Sequence, residues 1–187
     1  MATVPTDAAD RAVHDLEAAI ATCVRSVHLM ASGSLEEFHQ VVHPDASNRE
    51  ARDEPPACRQ PGPAGFHASA LWLRGSIEGL SFEVLEVVAQ GDLVVVNTIM
   101  SGRQVDTMVM YGPGGEVAGA FPARNRSFTS SQTHWFRMRE RSIVEHWANR
   151  DDIGMAEQLG WIPPTPPYLV RMARAKRRAS RNSTLIA

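Results

Sequence analysis

The feature that most constrains the fold is a change of hydrophobic period at Phe82. Before it apolar residues recur every three or four positions, and after it they alternate. A period near 3.6 lines one face of a helix, whereas a period of two lines one face of a strand. The first helix opens at Thr6 or Asp7, carries Val13, Leu16, Ile20, Val24 and Val27 on one side, and stops at Gly33. Ser34-Leu-Glu-Glu37 has the form of a capping box for a short second helix that must end before Pro44. Residues 45–65, rich in Asp, Pro, Gly and Arg, read as a long loop. A third helix is predicted over residues 66–77, with Phe66, Ala70, Leu73 and Ile77 on one face. Strands are predicted over 81–89, 93–100, 106–111, 126–138 and 143–148, with turns at Gly91-Asp92 and Gly112-Pro-Gly-Gly115. Helices first and antiparallel strands after specify an α+β fold, a curved, mainly antiparallel sheet wrapped around N-terminal helices.

At 187 residues, 43% of them hydrophobic and 21% charged, the chain has material for one globular core. No run approaches the roughly 18 apolar residues of a membrane helix, and residues 1–10 lack a basic start followed by an apolar stretch. Two cysteines, Cys23 and Cys58, are too few for a disulfide scaffold or a zinc cluster, so a cytoplasmic protein is expected. The net charge of −2 conceals a split. Residues 168–187 hold six of the nineteen basic residues and no acidic one, leaving thirteen basic against twenty-one acidic residues, or −8, in the rest. Pro163-Pro-Thr-Pro-Pro167 marks the boundary, giving a domain over 1–162 and a basic C-terminal arm over 163–187. The arm lacks aromatic residues beyond Tyr168. Neither nucleic acid nor a membrane is therefore expected as its partner; docking on the acidic body of a second subunit fits better.

Residues 130–152 carry the chemistry. A tight turn at Glu140-Arg141 would pair His134 with Trp147, Phe136 with Glu145, Gln132 with Asn149 and Ser130 with Asp151. Alternation then gathers Gln132, His134 and Phe136 on one face with Glu145, Trp147, Asn149 and Asp151. A histidine and a carboxylate for proton transfer, amides for a carbonyl and aromatics to exclude water suit deprotonation of a carbon acid without a metal.

The residues Gln132-Thr-His-Trp-Phe-Arg137, Ile143-Val-Glu-His-Trp147, Asn149-Arg-Asp-Asp-Ile-Gly154 and Gln158-Leu-Gly160 resemble the SnoaL-like polyketide cyclase (ester cyclase) family, within the nuclear transport factor two-like superfamily. Val42-His-Pro-Asp-Ala46, Leu71-Trp-Leu-Arg74 and Gly91-Asp-Leu-Val94 follow in the family's order. The resemblance implies a cone-shaped half-barrel around an apolar pocket, a homodimer or higher homo-oligomer, and acid/base chemistry with no cofactor and no metal. The implied reaction is an aldol-type ring closure or isomerisation of a small apolar carbonyl compound. It also implies Asp151, four residues after the tryptophan, as the base, His134 as its assistant, and Asn48 as a polar pocket residue. The chain departs from the family at the turn, Glu140-Arg141 in place of Asp-Gly, and in a loop over 49–63 rich in proline and charge.

Each candidate also has a structural reading. Asp151 is well placed to cap a helix beginning near Ile153. Trp147 suits a pocket wall or the core. Asn97, in an apolar strand with Leu93, Val95 and Ile99, binds either substrate or neighbouring backbone. Gln132 and Phe136 line the same expected face, and His146 is assigned a role in fold or interface. His39 and His43 lack a third metal ligand, and Cys23 is core filler. Two alternative functions share this fold: a binding module without catalysis, and an epoxide hydrolase built on Arg150-Asp-Asp152.

Overall fold

The structure, a computed structural model, describes residues 6–184, with side chains described over 13–182. It begins with α1 (Thr6–Ser32) and α2 (Leu35–His39), which lead into β1 (Val42–Asn48). The side chains of Thr6 and Asp7, the expected cap, lie outside the described ones. Ala19, Cys23 and Val27 form the buried stripe of α1, while Val13 stays exposed. The Ser34–Glu37 capping box is present: Ser34 Oγ accepts from the Glu37 N–H, and the Glu37 carboxylate accepts from the Ser34 N–H.

Helix α3 (Pro63–Ser76) starts with proline at its first turn, where no N–H is needed. Its Arg74 closes the other end of α1, donating to the carbonyls of Leu29 at 2.8 Å, Met30 at 3.0 Å and Gly33 at 2.9 Å. Orphan carbonyls of one helix thus become the anchor for another.

The strands are β2 (Ile77–Gln90), β3 (Leu93–Gln104), β4 (Met108–Tyr111), β5 (Val117–Phe121), β6 (Ser127–Arg139) and β7 (Ser142–Arg150). Five of them form one curved sheet in the order β1-β7-β6-β3-β2, antiparallel except that β1 runs parallel to β7. β4 and β5 make a separate two-stranded ribbon. The expected α+β class and the helix-then-strand order are both present. The sheet's inner face carries Val94, Val96, Thr98, Phe136 and Ile143 against α1 and α3, all buried.

Two local expectations need correction. Residues 45–65 are not one long loop: the second helix stops at His39, an unforeseen strand β1 runs over Val42–Asn48, and two 3-10 turns follow, Arg49–Asp53 and Pro56–Arg59. Pairing with β7 overrides the composition, and the Arg59 guanidinium fastens the turns to Glu54 O and Gly112 O. Strand β5 was not foreseen, because Val117-Ala-Gly-Ala-Phe121 has too little bulk to show an alternation.

After β7, α4 (Asp152–Leu159) ends at Gly160, whose φ of 71° is the left-handed stop. Trp161 donates to Gln104 Oε1 at 3.1 Å, and Gln104 donates onward to Phe121 O at 2.8 Å. The proline-flanked arm is α5 (Pro166–Thr184), and it lies against β5. Tyr168 is buried there, its hydroxyl donating to Pro122 O at 3.0 Å, and Lys176 donates to Ala118 O at 2.9 Å. No helix among the described residues is long and apolar enough to cross a membrane.

Gly62 has φ 75° and ψ −164°, a conformation open to glycine alone, and a Cβ there would sit 2.2 Å from Pro44 O. Gly62→Ala is therefore expected to lower the unfolding free energy by about 2 kcal/mol or more. Urea denaturation checks this; an unchanged midpoint would contradict the crowding at Pro44.

Candidate active site

The sheet and helices enclose a cavity of about 350 Å³, roofed by Met108 and Met110 of β4 and Phe121 of β5. Its wall is mostly apolar, and one side carries a polar set: Asn48, Glu54, Gln132, His134, His146 and Arg150. Strand phase decides which residues of the β6–β7 hairpin belong to it. The turn forms at Glu140-Arg141 as expected, both with positive φ (49° and 70°), the conformation that matches the twist of a two-residue hairpin. Met138 pairs with Ile143, but Arg137 pairs with Glu145, so Val144 is an extra residue in β7. This bulge shifts the register by one and exchanges the two faces of β7.

The consequence corrects the expected site. Gln132, His134 and Phe136 do face the cavity, now with His146 and Arg150 beside them. Trp147 lies on the outer face, stacked on Trp135 with ring centroids 6.0 Å apart and with the Arg49 guanidinium above it. Glu145 pairs with Arg49 on that side, and Asn149 accepts from Trp135 Nε1. Asp151 does not line the cavity; its Oδ1 accepts from Gly154 N–H at 2.8 Å as the cap of α4. Its neighbour Asp152 reaches the cavity rim and faces Arg150 Nε at 3.5 Å. Asn97 also points outward, donating to Thr133 Oγ1 at 3.0 Å and to Gln132 O, so neighbouring groups and not a ligand satisfy it. Asn48 is in the cavity wall, as expected.

The polar side groups form one directional chain. Asn48 Oδ1 accepts from the Glu50 backbone N–H at 3.2 Å, which fixes the amide's orientation. The same oxygen stands 2.9 Å from His146 Nδ1, so that nitrogen must carry a proton. His146 Nε2 then accepts from His134 Nδ1, 3.0 Å away. What remains is His134 Nε2, 3.0 Å from Gln132 Oε1. A proton on this last nitrogen completes every bond in the chain. In the neutral pair it is a lone pair, and a half-turn of the Gln132 amide presents an N–H to it. The two imidazoles are thus arranged to take up one proton between them.

Solvation opposes that proton. Burial first, then the positive charge of Arg150, lowers the His134 pKa to about 4. Burial, His134 and Arg150 hold His146 well below the ordinary histidine range. Phe136 and Phe66 enclose His146, and Phe82 meets the His134 ring edge-on. Further along, Asn48 Nδ2 donates to Ser69 Oγ at 3.5 Å, and Ser69 donates to the Glu54 carboxylate. Burial raises Glu54 above the usual carboxylate range. One wall therefore holds a histidine pair biased toward the free base and a carboxyl biased toward the acid.

His146 was assigned to the fold or an interface, Arg150 entered only through the epoxide-hydrolase alternative, and Glu54 was missed. The alternation of β7 names the first two once a single bulge is allowed; nothing in the Pro-rich stretch around Glu54 marks it as buried. Among the described residues, no cluster of three or more His, Cys, Asp or Glu side chains is arranged to hold a metal ion.

Comparisons with known proteins agree with this fold. The sequence pattern of the SnoaL-like polyketide cyclase family matches residues 21–159. Among solved structures, TsrD from Streptomyces laurentii is similar at a TM-score of 0.58 and 22% identity, over 79% of this chain and 96% of that one. IdmH from Streptomyces antibioticus gives 0.57 and 24%, over 76% and 98%. A protein of ketosteroid isomerase-like fold from Catenulispora acidiphila, solved with trimethylamine, gives 0.53 and 12%, over 74% and 92%. At these identities the structural likeness speaks for the fold. A search of curated proteins finds no significant match.

The buried histidines make stability depend on pH with a definite sign. Their folded pKa values lie below the unfolded value near 6.5, so the unfolded chain binds protons first as pH falls. Stability is complete above about pH 6.5 and is lost toward pH 4; His134 alone accounts for about 2 kcal/mol between pH 6.5 and 5. Glu54, with its raised pKa, acts in the opposite sense and offsets part of this loss. Chemical denaturation at pH 7 and pH 5 should show a smaller drop for His134→Gln than for the unaltered chain. An equal drop would show that His134 is not buried as the neutral base.

Proposed function

The chain belongs to the SnoaL-like polyketide cyclase family, and from that premise we propose that it is an acid/base enzyme acting on an apolar carbonyl compound. The reaction is an aldol-type ring closure or an isomerisation through an enolate, with no cofactor. The observation that carries this reading is His134 Nε2, the ring nitrogen that the chain from Asn48 through His146 leaves with a lone pair, 3.0 Å from the Gln132 side chain in the wall of an apolar cavity.

In this reading His134 Nε2 takes the proton from carbon adjacent to a carbonyl. The resulting N–H donates to Gln132 Oε1, and the charge is shared with His146. With Oε1 turned to that N–H, the Gln132 NH₂ group, otherwise 3.3 Å from the weak acceptor Met100 Sδ, donates to the enolate oxygen instead. Glu54 in its acid form donates a hydrogen bond to the second carbonyl and activates it for attack. The enolate carbon forms the new bond, and His134 returns its proton to the alkoxide. A base of low pKa suits an activated C–H, such as one between two carbonyls. Asp151 has no part here beyond capping α4, in contrast to what the motif position implies for the family.

A non-catalytic binding module is the second reading. It is favoured by one fact: among the described residues no buried side-chain nitrogen or oxygen lacks a hydrogen-bond partner, so the wall is complete without chemistry. Exchange of the acidic C–H of an aromatic β-keto ester in D₂O, followed by NMR, separates the two. The unaltered protein should accelerate exchange, and His134→Ala should reduce that by about 10²–10⁴-fold. Asp151→Asn should leave it unchanged, because asparagine caps a helix as well as aspartate does. Collapse of exchange in Asp151→Asn alone would return the base to that residue. Binding of the probe without accelerated exchange would favour the module.

A further inference from the structure

The charge split of the sequence acquires a location in the structure. The inner side of α5 is occupied by Tyr168 and Met172 against the body, and Arg171 and Lys176 donate to carbonyls of Ala123 and Ala118. Arg174, Arg177, Arg178 and Arg181 stand on the other side, all exposed, at helical spacings of three, four and seven. With Asn182 they border one shallow hollow, and none of the four is ion-paired with a described residue. Leu169 and Val170, about half exposed, lie one turn before this stripe. The outer side of α5 is therefore an uncompensated basic strip with an aliphatic end.

The acidic body carries a counterpart. β2 is an edge strand, with β3 on one side and no strand on the other. Its inward positions are Phe82, Val84 and Val87, while Glu83, Leu85, Glu86 and Val88 are exposed. The pairing with β3 slips between Val84 and Glu86, so Leu85 is an extra residue that brings more of this segment to the surface. Neither Glu83 nor Glu86 is ion-paired with a described residue. Among the described elements, β2 alone combines two unpaired carboxylates with two exposed aliphatic side chains. α5 and β2 therefore present opposite charge and matching apolar character, and α5 already packs on β5 of its own chain.

We propose that the outer side of α5 docks on the edge strand β2 of a second copy of this chain, with Arg174, Arg177, Arg178 and Arg181 facing Glu83 and Glu86, and Leu169 and Val170 meeting Leu85 and Val88. Each copy carries both surfaces, so two copies can exchange a pair of such contacts, or several can form a ring. The contact would also cover an unpaired sheet edge, which otherwise invites uncontrolled strand addition. This inference is independent of the chemistry assigned to the cavity.

Charge exchange between the two surfaces tests it. The oligomeric state of the full chain is measured by light scattering over a concentration series, in low and high salt. The unaltered protein should self-associate at low salt and dissociate in high salt, since exposed charges are screened. The R177E/R181E and E83R/E86R variants should each weaken association by more than about tenfold while keeping an unaltered circular dichroism spectrum. An equimolar mixture of the two variants should regain association, because the altered α5 of one meets the altered β2 of the other. A monomeric unaltered protein, variants that associate as before, or a mixture that stays dissociated would each overturn the proposal. Salt-sensitive binding of duplex DNA or phosphatidylglycerol vesicles that R177E/R181E abolishes, without self-association, would overturn it in favour of a phosphate-bearing partner.

Discussion

The site depends on one extra residue. With strict alternation from the Glu140-Arg141 turn, β7 would present Glu145, Trp147 and Asn149 to the cavity. With Val144 bulged, it presents His146 and Arg150. The two arrangements differ in chemistry more than in shape. The first offers a carboxylate and an amide beside His134; the second supplies an imidazole within hydrogen-bond distance of His134 and a guanidinium that biases both rings toward neutrality. A bulge near the closed end of a hairpin leaves the turn and the strand order intact. It re-aims every side chain beyond it, which is why such irregularities persist beside binding sites.

Geometry and solvation act against each other on the histidine pair. The fixed Asn48 amide makes the chain of acceptors complete only with one proton added, while burial and Arg150 make that proton costly. Were hydrogen bonding alone to decide, the pair would rest as a cation and take no proton from a substrate. Were solvation alone to decide, the protonated form would have no partner for its new N–H. In the proposed mechanism this opposition would keep a receptive base in an apolar cavity and give its conjugate acid a place to donate. Glu54 shows the converse balance: burial favours its acid form, while Ser69 and Arg150 favour its anion.

The architecture was legible in the sequence because period and caps are local signals. The change of period at Phe82, the Ser34–Glu37 box and Gly33 each report a few neighbouring residues, and the order of helices and strands follows from them. The site was legible only in part. Gln132, His134 and Phe136 face the cavity because β6 alternates without interruption. The β7 residues were assigned to the wrong faces because a bulge leaves no mark in composition. The strand 93–100 was correctly phased, with Asn97 beside Val95 and Ile99, and that same phase places Asn97 outside. Asp151 stands four residues after Trp147, where the resemblance implies the base, yet the first turn of α4 draws its carboxylate to Gly154 N–H. Glu54 could not be found at all, since its burial depends on Arg59 and Ser69 arriving from different segments.

The cavity wall bears on selectivity. Five of the eight methionines line it, Met30, Met100, Met108, Met110 and Met155, together with six aromatic side chains. Unbranched thioethers repack at little cost, so such a wall discriminates weakly among apolar skeletons of similar volume. Under the proposed reaction, discrimination would then come from the polar side, where a misplaced carbonyl would leave the Gln132 amide on its sulfur contact and Glu54 on Ser69. A polar wall that is satisfied before anything enters also adds little desolvation cost to an apolar guest. It rewards a guest only when its oxygens replace those weak contacts. Under the proposed reaction, an adaptable wall facing a strict polar edge would favour compounds that share a spacing of two carbonyls over compounds that share a shape.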